Sequence, residues 1–229
     1  MVQNKTRYFL STKRKHFRGA DKKHYFLSVF RKAKARYSKS EKRLAAEGWT
    51  QGWHVLIATT MSAQSRDTTT IPIAESLFRK YRTLNALAGA NYKDVLKIFK
   101  SLNYNKTKAM NVIKAAKFIL SKYKGKLPDT LEELTKIPGV GRKTANIVLF
   151  GVHKKPAIAV DTHVHRLSNV LGLVKTKTPE QTEFALKKIV PKRYWTDVNY
   201  IFVRWGQDVR GRDKKNLLAS LNLYAKKSK

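Results

Sequence analysis

Apolar residues recur at spacings of three and four along most of this chain, and no segment shows the strict alternation of a half-buried strand. The spacing is clearest over residues 91–102 and 106–123, which predicts a helix for each. Residues 53–61 are too uniformly apolar for a surface helix and predict a buried, central one. Basic and aromatic residues interleave over residues 23–46 as in an amphipathic helix, and packing rather than base stacking is the assignment for most of its aromatics, Tyr25, Phe26, Phe30 and Tyr37. Pro72 suits the first position of a helix reaching Tyr81, where the N–H that proline lacks is surplus. Thr130 and Glu133 make a capping box for a short helix ending near Lys136, and a second helix runs from Arg142 to about Phe150. Asp161 caps a helix through Leu171. Thr178, Pro179 and Gln181 open another that stops before Pro191. Residues 195–206 form the last long core helix, and residues 216–225 an amphipathic one. No repeat period is visible, so the prediction is an all-α fold of many short helices.

Charge adds a partner to this picture. In 229 residues, 49 Lys+Arg oppose 15 Asp+Glu, for a formal net charge of +34. Such an excess says nothing about fold but directs the chain toward polyanions, because Lys and Arg that neutralise phosphates release condensed counterions. Nucleic acid is the leading candidate, which also places the expected site of action inside the cell, with the DNA. Residues 1–20 are basic and aperiodic and read as a flexible arm rather than an organelle address; they lack the apolar centre of a secretory signal. No apolar run is long enough to span a bilayer, so no membrane partner is expected. Cysteine is absent, which removes disulfides, thiolate-held zinc, iron–sulfur clusters and thiol nucleophiles together.

The chemistry concentrates in residues 137–165, which read IPGVGRKTANIVLFGVHKKPAIAVDTHVH. A short helix, Pro-Gly-Val-Gly and a second helix make a helix–hairpin–helix. Gly139 and Gly141 permit the backbone angles that aim several N–H groups at one phosphate oxygen, and the new helix adds its positive end. A nucleotide-binding P-loop needs a glycine directly before its lysine and a strand before its loop. Arg142 holds that glycine position and the preceding segment is helical, so the P-loop reading fails. Lys143 follows the hairpin and Asp161 comes eighteen residues later. A primary amine and a carboxylate at one groove suit covalent chemistry on a sugar carbon. The attacking amine must be unprotonated, and burial beside cations such as Arg142 acts in that direction. His163 and His165 stand two apart on a helix, point to different faces, and make poor joint metal ligands; no transition metal is assigned.

IPGVGRKTANIVLF followed by AVDTHVHRLSNVLGL resembles the signature of the endonuclease III family, within the helix–hairpin–helix (HhH-GPD) DNA glycosylases. VLIATTMSAQSRD resembles that family's loop that enters the duplex, and LNYNKTKAMNVIKAAKFI its next DNA-facing turn and helix. The likeness runs from about residue 53 to residue 205. It implies a monomeric base-excision repair enzyme for oxidised pyrimidines, bound to double-stranded DNA that carries damaged bases or abasic sites. By position, Lys143 would be the nucleophile that displaces the base and leaves a Schiff base, from which β-elimination nicks the strand. Asp161 would activate the amine and steady positive charge on the sugar. Gln64 would fill the gap left by the flipped nucleotide, and Tyr104 would be a second wedge. Gly139, Val140, Gly141, Arg142 and Thr144 of the hairpin, with His163, would contact DNA. Relatives also hold a monovalent cation on the hairpin carbonyls, and the sequence leaves that possibility open.

The resemblance further implies two helical lobes with a DNA cleft between them, one of residues 48–155 and one assembled from residues 21–47 and 156–229. Two departures stand out. Relatives commonly carry four cysteines after the last core helix to hold a [4Fe–4S] cluster, whereas this chain reads WGQDVRGRDKKNLLASLNLYAKKSK, with Arg210 about where the first ligand would be. Packing by Leu217, Leu218, Leu221 and Tyr224 is expected to replace the cluster's structural role. Val170 stands where relatives often have arginine. The rival readings are a mismatch or uracil glycosylase on the same fold, and a non-catalytic DNA-binding module.

Overall fold

A computed structural model describes residues 19–39 and 42–224, so the expected basic arm lies almost wholly outside the described residues. These residues form α-helices and one short 3-10 turn, with no strand among them. In chain order the helices are α1 (Gly19–Tyr37), α2 (Gly52–Ser62), α3 (Asp67–Lys80), α4 (Leu84–Ala88), α5 (Tyr92–Ile98) and α6 (Asn105–Tyr123). They continue with α7 (Leu131–Thr135), α8 (Arg142–Gly151), α9 (Thr162–Val170), α10 (Pro179–Ile189), α11 (Trp195–Asp208) and α12 (Lys214–Ser220). The chain divides into two compact units, one of Arg43–Ala157 and one built from the residues up to Lys42 together with Ile158 onward.

The unit of α2 to α8 is organised around α2, which packs on α3, α6 and α8. Leu56, Ile57, Ala58 and Met61 are wholly enclosed, so the apolar run does form a central helix. The helix starts follow local chemistry. Thr83, Asn91 and Thr130 each accept a first-turn N–H through the side chain, as N-caps do. The capping box at Thr130 is half made: Thr130 Oγ1 accepts from the Glu133 N–H at 3.3 Å, but the Glu133 carboxylate turns to the Tyr123 hydroxyl at 2.6 Å and to Lys136.

Three boundaries in the first half of the chain differ from expectation. Helix α3 begins at Asp67, not Pro72, which lies inside it. The Asp67 carboxylate favours the positive helix end and also accepts the Ala45 N–H at 3.3 Å. Residues 42–46 do not continue α1: Glu47 accepts the Leu44 N–H at 2.7 Å and Arg43 stacks 4.4 Å over Trp49, closing a turn instead. Helix α5 ends at Ile98 rather than reaching Leu102, which is nonetheless buried.

The second unit is held by α1, α9, α10 and α11. Helix α11 packs on α1 and α9, and α10 packs on the same two. Tyr25, Phe26 and Phe30 are fully buried, with Phe26 stacked on Phe30 at 4.9 Å, so these aromatics are core. Lys34 pairs with Asp197 at 2.5 Å and the Tyr37 hydroxyl donates to Asp208 at 2.6 Å, fixing α1 along α11. Thr178 and Asp213 cap α10 and α12. Helix α12 spans Lys214–Ser220 rather than residues 216–225. The chain turns at residues 221–224, where Asn222 takes a left-handed backbone at φ +55° and the Leu223 N–H closes on the Leu218 carbonyl at 2.9 Å, and Ala225 lies outside the described residues.

Candidate functional site

The hairpin between α7 and α8 is shaped by its glycines. Gly139 has φ +79°, a left-handed conformation that favours glycine, and a Cβ there would sit 2.9 Å from Asn111 Cβ on α6. Gly141 has no atom within 4 Å of such a position and is open to solvent. It forms the N-cap of α8 without a side-chain cap, and the Ala145 N–H bonds back to the Gly141 carbonyl at 2.9 Å. An uncapped helix start presents N–H donors and a partial positive charge together, as an anion requires. Val140 has a narrower place than the sequence gives it. Its N–H donates to the Ile137 carbonyl at 3.0 Å and its side chain is buried.

Lys143 stands half-buried at the second position of α8, and its amine has no hydrogen-bond or ion-pair partner among the described residues. Arg142 is likewise half-buried, and Thr144 is buried. An unpaired amine beside a donor-rich helix end is available to a substrate, unlike the Lys155 amine, which a carboxylate holds: it pairs with Asp129 at 2.5 Å.

Gln64 and Tyr104 project from two turns of this unit, after α2 and before α6. Both have a left-handed backbone, φ +55° and +56°, and both side chains are exposed, Tyr104 at 63%. Residues with a Cβ adopt that backbone only where their surroundings hold it. The holders, Ser65, Asn103 and Lys108, escaped the sequence reading.

In the other unit Asp161 is the N-cap of α9, and Oδ1 accepts the Val164 N–H at 2.9 Å. Two residues on, the His163 ring lies against α11: a Cβ on Gly206 would come within 2.7 Å of its Nδ1. His165 points elsewhere and shares a 2.7 Å hydrogen bond with Thr182. Among the described residues no group of three or more His, Asp or Glu could hold a metal.

Arg166 explains how the chain after α11 is shaped. Its guanidinium donates to the carbonyls of Gly206 at 2.8 Å, Val209 at 3.0 Å and Gly211. Burial and the neighbouring Arg212 pull its pKa down, and the Asp161 carboxylate opposes them. A sequence without cysteine cannot hold a thiolate cluster, and here one cation gathers three backbone carbonyls instead. Leu217, Leu218 and Leu221 of the following segment are buried as expected, but Tyr224 is not: it stands 36% exposed beyond the end of α12. An open cavity of about 690 Å³ runs along α9, lined by Thr162, His163, His165, Arg166, Val170 and Arg212 among others. Val170 and Pro179 therefore present apolar walls to a recess whose charge comes from Arg166 and Arg212.

Residues 57–192 match the family described as HhH-GPD superfamily base excision DNA repair protein. The endonuclease III of Thermotoga maritima is 48% identical over 160 residues, covering 70% of this chain and 75% of that protein. Among solved structures, a trapped endonuclease III–DNA covalent intermediate superposes with a TM-score of 0.76 at 31% identity, covering 81% of this chain and 86% of that one. A thermostable thymine-DNA glycosylase gives a TM-score of 0.75 over 89% of this chain and 94% of its own; at 17% identity that likeness concerns the fold.

Proposed function

This chain belongs to the HhH-GPD superfamily of base excision DNA repair proteins, and from that membership we propose that it is a bifunctional DNA glycosylase and abasic-site lyase acting on oxidised pyrimidines. The observation that carries the reading is Lys143, a primary amine without a partner at the mouth of an uncapped, glycine-shaped helix start. A phosphate held by the hairpin N–H groups brings a deoxyribose to that amine, and no other side-chain type there could form an imine.

The target nucleotide leaves the stack, which costs a few kcal/mol and least at damaged pairs. Gln64 enters the vacancy and pairs with the orphaned base, with Tyr104 as a second wedge. Unprotonated Lys143 Nζ then attacks C1′; the C1′–N bond breaks and its electron pair departs with the base. Loss of the amine protons and opening of the sugar ring give a Schiff base between Nζ and C1′. Removal of a C2′ proton then expels the 3′ phosphate, breaking the C3′–O bond and nicking the strand. Water finally hydrolyses the imine and frees Lys143. Asp161 serves this sequence by accepting the amine proton and by steadying positive charge on the sugar.

The test is borohydride trapping on duplexes carrying a thymine glycol, an abasic site or a G·T mismatch. A covalent complex that disappears in Lys143→Gln supports the bifunctional reading, and slower base release in Asp161→Asn supports the second assignment. Base release without a trapped complex would refute the lyase step and favour a monofunctional glycosylase. Absence of both products would reduce the protein to a DNA-binding module.

A further inference from the structure

Gln64 and Tyr104 stand on separate turns, yet the structure fastens one turn to the other. Asn103, the neighbour of Tyr104, donates from Nδ2 to the Gln64 carbonyl at 2.6 Å and from its backbone N–H to Ser65 Oγ at 3.3 Å. Lys108, one turn into α6, donates from Nζ to the same Ser65 Oγ at 2.8 Å. Both exposed tips are thus tied at their bases by three hydrogen bonds that cross about forty residues of sequence.

Lys108 is an odd choice for packing alone. It is only 6% exposed, and Ser65 is its one hydrogen-bond or ion-pair partner among the described residues. Burial without a carboxylate pulls its amine down to about 8. A methionine would fill the same space without the desolvation cost of the cation. What lysine adds is a donor that reaches Ser65.

We propose that Gln64 and Tyr104 enter the duplex as one coupled unit, and that Asn103 and Lys108 are the positioning residues that fix one tip relative to the other. The proposal rests on the reading of Gln64 and Tyr104 as duplex-entering residues. A unit ordered before contact loses little conformational freedom on insertion, so the tie acts on the rate of entry rather than on the chemistry at Lys143.

The experiment uses the full chain and a lesion duplex with 2-aminopurine opposite the damaged nucleotide, whose fluorescence rises when that base loses its stack. Lys108→Met is expected to melt at or above the parent's temperature while its fluorescence rise slows about tenfold, the scale of one lost charge-assisted hydrogen bond. Ser65→Ala is expected to slow it too, and the double variant to fall no further than Ser65→Ala alone, because both changes remove the same bond. A Lys108→Met rate within about twofold of the parent, or losses that multiply in the double variant, would overturn the proposal. A parent that raises no fluorescence also overturns it. A parent that raises fluorescence but releases no base refutes the glycosylase reading and leaves the coupled unit standing.

Discussion

Replacing Arg166 with alanine isolates the contact that shapes the chain after α11 in a protein without cysteine. The guanidinium serves the carbonyls of Gly206, Val209 and Gly211 from a half-buried position. A hydrogen bond from a charged donor contributes about 1.5–3 kcal/mol, but three bonds on one side chain are not additive. The Gly211 carbonyl belongs to an exposed residue and can turn to water, whereas Gly206 is buried and its carbonyl loses its guanidinium partner. The expected loss is therefore nearer two bonds than three and, because they share one side chain, falls below their simple sum, at about 2–4 kcal/mol. For a chain of this size that lowers the melting midpoint by roughly 4–16 °C. Arg166→Lys keeps the charge but offers one compact donor group in place of a fork, and should recover only part of the loss. Circular dichroism melts give the first measurement, and limited trypsin digestion at Arg210 and Arg212 the second, because a released loop is cut faster than the global equilibrium allows. A melting midpoint within about 2 °C of the parent, with cleavage at an unchanged rate, would show that Arg166 does not hold the loop and that burial of Leu217, Leu218 and Leu221 suffices.

Two further outcomes follow from particular contacts. Gly206→Ala should destabilise by about 1–3 kcal/mol through collision with the His163 ring, and adding His163→Ala should restore most of it; a double variant as unstable as the single, judged by urea denaturation, would mean that Gly206 is needed for another reason. His54 lies against Trp53 and Phe78 with ring centroids 4.0 Å away in each case, its Nε2 has no partner, and burial lowers its pKa. The unfolded chain thus binds a proton before the folded one does, so this contribution is complete above the ordinary histidine value and is lost as pH falls below it. Melts of the parent and His54→Phe at pH 7.5 and 5.5 should show the parent losing more, and equal losses would contradict the assignment.

Much of the fold was legible because its signals are local. Thr130, Asp161 and Thr178 cap the helices they precede through hydrogen bonds three residues long, and residues 53–61 are apolar enough to demand enclosure. The misread boundaries have tertiary causes. Asp67 starts α3 ahead of Pro72 while accepting the N–H of Ala45, and α1 ends at Tyr37 while residues 42–46 turn where Arg43 finds Trp49 and Glu47. Helix α4 was missed because five residues show no period, although Thr83 marks its start.

The same division runs through the candidate site, and it bears on how to read a chain with 49 basic residues. Charge cannot single out a lysine here, but placement can. Lys143 was legible because a glycine hairpin marks the helix start that carries it. Lys108 carried a fainter mark: it falls on the stripe of Val112, Ala115, Ala116 and Ile119, the buried face of α6, where a cation has no packing reason. Arg166 carried none, since its three acceptors are unremarkable backbone carbonyls about forty residues away. A buried cation on an apolar stripe therefore directs attention to whatever its donor reaches. In this fold it reaches Ser65, at the base of the turn that carries Gln64.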